Sequence, residues 1–180
     1  MIIQVGFTRV QLVTINSTLG QMIHMNFGFW DHHASSRLNL STWLEDLNAA
    51  LGMFQEEMKE QGLWDSVTVL ITSDFGRTLT PNGREGCDHG WGGNYFVFGG
   101  AVNGGQVLGQ YPEDLTETSP LNVGRGRIMP TTSWDAVYNG ICEWMGVETE
   151  EEMLEILPNL PNTHGGQFTP PIGANELFRV

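Results

Sequence analysis

A long amphipathic segment, followed by a short and apolar one, dominates the middle of this sequence of 180 residues. From Leu40 onward, apolar residues recur every three or four positions as far as Gly62, which predicts a helix with one buried face that ends near this glycine. The apolar stripe consists of Leu44, Leu47, Leu51, Phe54 and Met58. The segment "SVTVLITS" at 66–73 is β-branched and nearly continuously apolar, as expected for an interior parallel strand that is covered on both faces. We therefore expect the helix at 40–61 to lie across a sheet that contains this strand.

Further strand-like segments flank this pair on both sides. Segments 11–15, 21–27 and 94–100 are apolar, β-branched or alternating, which is typical of strands. A strand, a helix and a second strand in this order indicate a right-handed crossover. The sequence thus predicts an α/β fold in which helices pack against a mostly parallel sheet.

The C-terminal third carries clear helix boundaries. Ser133 can cap a helix that ends at Gly146, and Thr149 with Glu152 has the spacing of a capping box for the next helix. From residue 163 onward the chain is rich in Pro, Gly and Asn. We therefore expect one α/β domain over 1–162, followed by an extended tail over 163–180 that lies over the domain or loose in solvent.

Composition excludes some classes of partner. The chain has 21 acidic and eight basic side chains and a formal net charge of -13, so it lacks the positive patch that nucleic-acid binding requires. No apolar run is long enough to span a membrane. The N-terminal segment has no basic start, apolar middle and small-residue cleavage site, so we expect no signal peptide there. The two cysteines of the whole chain, Cys87 and Cys142, are too few for a disulfide framework.

Residue types that bind metals cluster in two loops behind predicted strands. The two loops contain Asp31, His32 and His33, and Asp74, Asp88 and His89. Carboxylate oxygens and imidazole nitrogens together favour zinc, manganese and related divalent ions. In an extended backbone Asp31 and His33 point to the same side and His32 to the other, so Asp31 and His33 form the natural ligand pair.

Several of these residues also have an ordinary structural explanation. Asp88 before His89 fits turn chemistry alone, and Arg77 can pair with a neighbouring carboxylate. His24 lies within a strand pattern, where we expect a core histidine, and His164 lies in an exposed Pro/Asn/Gly loop; we assign neither to a site. The combined pattern favours a metal site, because three of the five histidines fall in two short loops behind strands.

Four ordered motifs also carry a family resemblance over roughly residues 20–162. They are "FGFWDHH", "TVLITSDFGRT", "NGREGCDHGWGGNYFVFGGAVNGGQVLG" and "GRGRIMPTTSWDAVYNGICEWMGV...LPNL". In this order they resemble the C-terminal half of an uncharacterised bacterial family that is catalogued as a domain of unknown function. That family belongs to the alkaline phosphatase/sulfatase superfamily, and its members often carry an export signal, which implies a periplasmic or extracellular location.

The resemblance implies a fold and two ion sites. Superfamily members have a doubly wound, mostly parallel α/β sheet and bind two metal ions at strand ends, beside a nucleophile that attacks a phosphate or sulfate ester. By this resemblance Asp31, His33 and His89 bind one ion, and Asp74 serves the second. Relatives commonly have Glu at the position of Asp74, and the phosphatases have a His where this chain has Phe75. The second ion site is therefore expected to be weaker or differently built.

The resemblance also implies roles for two further residues. Asp88 is expected to orient His89, and Arg77 to face a small anionic ester substrate. The nucleophile of the superfamily comes from the N-terminal half of full-length members, and no segment before Asp31 offers its strand-turn-helix context. The chain thus looks like half of a sulfatase-like domain, incomplete at its N-terminus, which needs the missing half or a homo-oligomer partner.

Two functions remain open from the sequence. One is a metal-dependent hydrolase of phosphate or sulfate esters, which as half an enzyme turns over monoesters feebly or not at all. The other is a non-catalytic metal-binding or interaction domain that retains the scaffold.

Overall fold

A four-stranded sheet forms the centre of the fold. The computed structural model describes residues 10–16, 20–27, 30–161 and 169–179. The strands are β1 (Val10–Asn16), β2 (Gln21–Phe27), β3 (Val67–Thr72) and β4 (Phe96–Gly99). They lie in the order β2-β1-β3-β4, which makes β2 and β4 the edges and β3 an interior strand, as predicted.

The predicted parallel pairing is wrong for these strands. β3 is antiparallel to both neighbours, with Leu70 opposite Val13 of β1 and Val69 opposite Phe98 of β4. All six residues of β3 are buried, which explains its continuous apolar character. An apolar strand results from cover on both faces, and this cover does not depend on the direction of the neighbouring strands.

Helix α1 (Ser36–Glu60) covers one face of β3. Leu47 is buried at 5% exposure and packs with Val67, Val69 and Ile71. Other residues of the helix that pack against this cluster are Leu40, Trp43, Leu51, Phe54 and Met58. The predicted stripe is therefore confirmed except at Leu44, which is 38% exposed.

Three C-terminal helices complete the fold, and they are α2 (Trp134–Trp144), α3 (Glu150–Ile156) and α4 (Ala174–Leu177). The predicted cap of α2 is confirmed, because Ser133 accepts a hydrogen bond from the Ala136 amide at 3.1 Å. The capping box of Thr149 and Glu152 begins α3 as predicted. A second core cluster joins Leu70 of β3 to Ile141 of α2.

Residues 169–179 pack on the domain, which is one of the two alternatives for the predicted tail, and they form the short helix α4 where an extended chain was expected. Ile172, Leu177 and Phe178 are buried at 6%, 2% and 1% exposure and belong to the second core cluster. Phe178 also bridges Val102 in a short antiparallel pair. These apolar residues anchor the segment despite its Pro, Gly and Asn content. His164 lies outside the described residues.

The prediction of a core position for His24 is wrong. His24 lies on β2 and is exposed, as are its neighbours Met22, Ile23 and Met25. The alternating pattern identified the strand but not its place at the edge of the sheet.

Of the helices in the described segments, none has both the length and the apolar character that crossing a bilayer requires.

Candidate metal centre

Backbone pairing places His89 beside the loop that precedes α1. Segment 76–78 pairs with segment 88–90, with Arg77 directly opposite His89. The Thr78 amide donates to the Asp88 carbonyl at 2.9 Å, and the Gly90 amide donates to the Gly76 carbonyl at 2.8 Å. This short ladder fixes the end of the long loop between β3 and β4.

A close backbone contact joins this loop to His33. A Cβ atom at Gly86 would overlap the carbonyl carbon and oxygen of His33, so only glycine allows the two chains to approach this closely. The Asn82 amide group donates to the His33 carbonyl at 3.0 Å, and the Ser35 amide donates to the Arg84 carbonyl at 3.1 Å. Gly86 thus brings the loop close to His33.

Three predicted ligands converge at this junction. Asp31 Oδ1 lies 3.1 Å from His33 Nε2 and 3.0 Å from His89 Nε2, and the two Nε2 atoms are 3.1 Å apart. In a tetrahedral zinc site, bonds of about 2.0–2.1 Å separate neighbouring ligand atoms by about 3.3 Å. The three side chains are between 37% and 48% exposed. The group therefore has the spacing of three ligands to one ion and is open to solvent on one side.

Hydrogen bonding fixes the tautomer of His33. Its Nδ1 lies 3.2 Å from Asp88 Oδ1. Hydrogen bonds from Asn82, His33 and Arg125 lower the pKa of Asp88 to about 2, so this carboxylate is ionised and can only accept. His33 Nδ1 therefore donates to Asp88, and Nε2 is the ring nitrogen that faces Asp31 and His89. This carboxylate-histidine arrangement is typical of metal ligands.

The predicted partner of Asp88 is wrong. Asp88 was expected to orient His89, but its carboxylate contacts His33. The ring of Phe75 packs against His89 instead, with centroids 4.2 Å apart and planes inclined by 34°. Asn82 selects this arrangement, because its amide group donates to both the His33 carbonyl and Asp88 Oδ1.

Arg77 is part of the support of Asp31 and does not face a substrate. Its side chain is fully buried, and it donates to Asp31 Oδ1 and to the Cys87 carbonyl. Partial burial raises the pKa of Asp31, but hydrogen bonds from Arg77 and His89 outweigh this effect and leave the pKa below its usual value. The predicted contact with an anion is therefore wrong, and pairing with a carboxylate is the role that the structure assigns to Arg77.

Asp74 lies apart from the three converging ligands. It lies two residues after the end of β3, is exposed, and accepts a hydrogen bond from the Ser73 hydroxyl at 3.3 Å. Among the described residues, Asp31, His33 and His89 form the group of three or more donors that can share an ion. A role for Asp74 at a second ion stays a prediction.

Arg125 is a site residue that the sequence reasoning missed. Its Nη2 donates to Asp88 Oδ2 at 2.7 Å. Its backbone has a φ of 58°, between Gly124 at 99° and Gly126 at 71°. The Gly-Arg-Gly triplet was a visible turn signal, but nothing in it indicates that the loop reaches Asp88. That contact depends on Gly126, whose carbonyl accepts from the Leu79 amide at 2.9 Å.

Backbone strain is concentrated around the centre. In the described part of the chain, the non-glycine residues with positive φ are Ser35, Glu85 and Arg125. Ser35 follows His33 by two residues, and Glu85 lies in the loop that carries Gly86. Such conformations persist where the surrounding structure enforces them, and they are common at functional sites.

An open cleft of about 510 Å³ lies beside the centre. It is lined by His33, Asn82, Gly83, Arg84 and Asp88. The cleft thus gives solvent molecules and ligands access to one of the three converging side chains.

Comparison with known proteins supplies a family but no established activity. No curated protein and no solved structure matches the chain. The model of a family described as a protein of unknown function, DUF1501, matches residues 5–127. This match covers more than half of the sequence and includes Asp31, His33, Asp88, His89 and Arg125. The chain therefore belongs to the DUF1501 family of proteins of unknown function.

Proposed function

We propose that Asp31, His33 and His89 bind one divalent ion, zinc or manganese, and that this centre hydrolyses phosphate or sulfate monoesters. The observation that carries the proposal is the mutual spacing of 3.0–3.1 Å between the three ligand atoms. Asp88 accepts from His33 Nδ1, so a neutral His33 offers the lone pair of Nε2 to an ion that Asp31 Oδ1 also faces.

The donor set fits a divalent ion of intermediate softness. Two imidazole nitrogens and one carboxylate oxygen are common ligands of zinc and manganese. Such an ion, when bound, supplies a Lewis acid that stabilises charge on a transferring phosphoryl or sulfuryl group.

The protein's own residues hold and orient the ligands. Arg77 fixes Asp31 from the buried side, and Asp88 fixes the tautomer of His33. Phe75 limits the rotation of His89 by ring contact. The exposed side of the three ligands and the adjoining cleft leave room for a small ester.

Placement in the alkaline phosphatase/sulfatase superfamily, with its doubly wound parallel sheet, is part of the same proposal. It is supported by the order of the four motifs and by the convergence of the three ligands that the resemblance implies. The described strands do not support it, because their pairs are antiparallel. Fold analogy alone would not define a substrate.

A second candidate is a metal-binding domain without catalytic activity. The position of Asp74 outside the ligand group favours it, as does Phe75, an apolar ring at the position where the phosphatases have a metal-binding histidine. Both features weaken a second ion site. A single ion without a placed nucleophile would retain binding and lose most of the rate.

Turnover assays separate the two candidates. The chain is incubated with aryl phosphate and aryl sulfate, with added zinc or manganese, beside the variant Asp31→Asn. The control is Asp114→Asn, since Asp114 is a partly exposed aspartate outside the ligand group that accepts from the Thr116 amide. The hydrolase predicts feeble but metal-dependent turnover that Asp31→Asn abolishes and Asp114→Asn retains. Metal uptake without turnover assigns the chain to the second candidate, and turnover that survives Asp31→Asn refutes the proposed centre.

A further inference from the structure

Positive charge is unevenly distributed over this acidic protein. The chain has eight Lys and Arg residues against 21 Asp and Glu residues. Three of these cations surround the proposed centre: Arg77 contacts Asp31, Arg84 lines the cleft beside His33, and Arg125 contacts Asp88. Arg77 is buried, so Arg84 and Arg125 are the two that a ligand can reach.

The backbone of Arg84 is fixed while its side chain is exposed. Its amide donates to Asn82 Oδ1 at 2.9 Å, and its carbonyl accepts from the Ser35 amide at 3.1 Å. Within the described part of the chain the Arg84 guanidinium makes no hydrogen bond or ion pair. The loop therefore presents an unneutralised cation on a fixed backbone at the wall of the cleft.

Arg125 reaches Asp88, a residue of the cleft wall, from a different loop. Its side chain is 50% exposed, and its contact with Asp88 uses one of the five N–H donors of a guanidinium. Asn122 Oδ1 holds the loop tip by accepting from the amides of Gly124 and Gly126 at 2.9 and 3.1 Å. The strained φ of 58° at Arg125 is thus enforced by its surroundings.

The charges at the cleft do not cancel. Asp88 is the one acidic side chain among the lining residues and is paired with Arg125, so the positive charge of Arg84 is not neutralised by any lining carboxylate. The ion pair with Asp88 accounts for the position of Arg125 but not for that of Arg84. Planar guanidinium groups are well suited to the paired oxygens of phosphate and sulfate.

We propose that Arg84 and Arg125 together bind the tetrahedral oxyanion of a phosphate or sulfate ester in the cleft beside His33. This inference rests on the proposed function, since it names the residues that recognise the substrate of the same centre. It assigns to these two residues the anion contact that the sequence had assigned to Arg77.

Calorimetric titration of the zinc-loaded chain with inorganic phosphate, and separately with inorganic sulfate, tests the inference. Arg84→Gln and Arg125→Gln are each expected to weaken binding about tenfold or more, since each removes a charge-assisted hydrogen bond. Arg125→Lys, which keeps the charge, is expected to recover part of the loss. The anion that shows this dependence identifies the ester class.

Lys59→Gln is the matched control for the loss of one positive charge. Lys59 lies in the last turn of α1, and a rise of about 1.5 Å per residue places it roughly 35 Å along the helix from Ser36. We expect this variant to bind the anion as the unchanged chain does. An equal loss in Lys59→Gln would show a general charge effect and overturn the inference.

Zinc content, measured on every variant, separates this inference from the proposed function. If both arginine variants retain zinc and bind the anion unchanged, the inference is overturned and the metal centre stands. The same holds if the zinc-loaded chain binds neither phosphate nor sulfate. Loss of zinc in Arg125→Gln would make Arg125 a positioning residue of His33 and overturn its role as an anion contact. A chain that takes up no zinc refutes the proposed function. If this zinc-free chain still binds the anion, and the binding depends on both arginines, the inference is supported independently.

Discussion

At the scale of single residues, hydrogen-bond partners outside the group of three hold the side chains of Asp31 and His33 in place. Asp31 is held by a buried guanidinium and His33 by an ionised carboxylate. The pairing of Asp31 with His33 was predictable from their spacing after a strand, and the family resemblance implied His89 as the third member of the group. The supports of these ligands were not predictable, because the pairing of Asp88 with His33 depends on how Asn82 and Gly86 join two loops.

Asp88→Asn tests the support of His33. The amide can still accept from His33 Nδ1, but it lacks the negative charge that makes the imidazole a stronger ligand, so we expect zinc affinity to fall about tenfold to a hundredfold. Zinc titration by calorimetry measures the change. Asp114→Asn is the matched control, and equal zinc affinity in the two variants would contradict the role of Asp88.

Asp74→Ala tests the boundary of the centre. Because Asp74 lies outside the converging group, we expect the affinity of the tightest zinc site to be unchanged. The measurement is the same zinc titration. Loss of that site in Asp74→Ala would instead make Asp74 a ligand of the same ion.

At the scale of elements, periodicity predicted the pieces well and their pairing less well. The stripe of α1 and the buried β3 follow from side-chain patterns that the sequence carries directly. Strand direction does not, because an interior strand covered on both faces has the same pattern in either direction. The loops that form the site were predictable as loops, but the meeting of the Arg125 loop with Asp88 depends on contacts distant in sequence.

Gly86→Ala tests the junction between the two loops. The added methyl group would overlap the backbone of His33, so the loops must separate. We expect a loss of about 1–3 kcal/mol in the free energy of unfolding, together with weaker zinc binding. Gly83→Ala is the control in the same loop, since its Cβ would meet no atom within 4 Å. Equal effects of the two substitutions on unfolding in urea would refute the close contact.

We expect the chain to lose stability at high pH because of Tyr95, which directly precedes β4. Burial, with a smaller contribution from Asp74, raises the pKa of Tyr95 to about 12. An unfolded tyrosine ionises near pH 10, so its proton is lost first from the unfolded state. The contribution of Tyr95 to stability is therefore complete below about pH 10 and declines between about pH 10 and 12.

Urea unfolding across this pH range checks the sign. Tyr95→Phe should remove much of the decline, whereas Tyr111→Phe should not, because Tyr111 is 47% exposed. A decline in Tyr95→Phe as steep as in the unchanged chain would contradict the assignment.

At the scale of the whole molecule, the C-terminal segment 169–179 contributes to the second core cluster, which includes Leu70 of β3. The C-terminal segment was predicted as a tail because its composition is that of a loop. Its anchoring residues are too few to give a periodic pattern, yet Phe178 stacks on Trp144 with ring centroids 4.5 Å apart. Composition indicates how flexible a segment is in isolation. Whether the segment packs depends on the apolar surface that the rest of the chain offers it.

Phe178→Ala tests this packing. Phe178 is 1% exposed, so we expect the substitution to lower the free energy of unfolding by about 3–5 kcal/mol. Phe96→Ala is the control, and it should cost less because Phe96 is 37% exposed. A smaller loss at Phe178 than at Phe96, measured by unfolding in urea, would mean that 169–179 does not belong to the core.

The central claim is that Asp31, His33 and His89 share one divalent ion, and zinc titration of a single histidine variant tests it most directly. The unchanged chain, His89→Ala and His24→Ala are each made metal-free and titrated with zinc in a calorimeter. His24 is an exposed histidine outside the ligand group. We predict one tight site in the unchanged chain and in His24→Ala, and its loss in His89→Ala. Equal zinc binding by all three proteins would contradict the account.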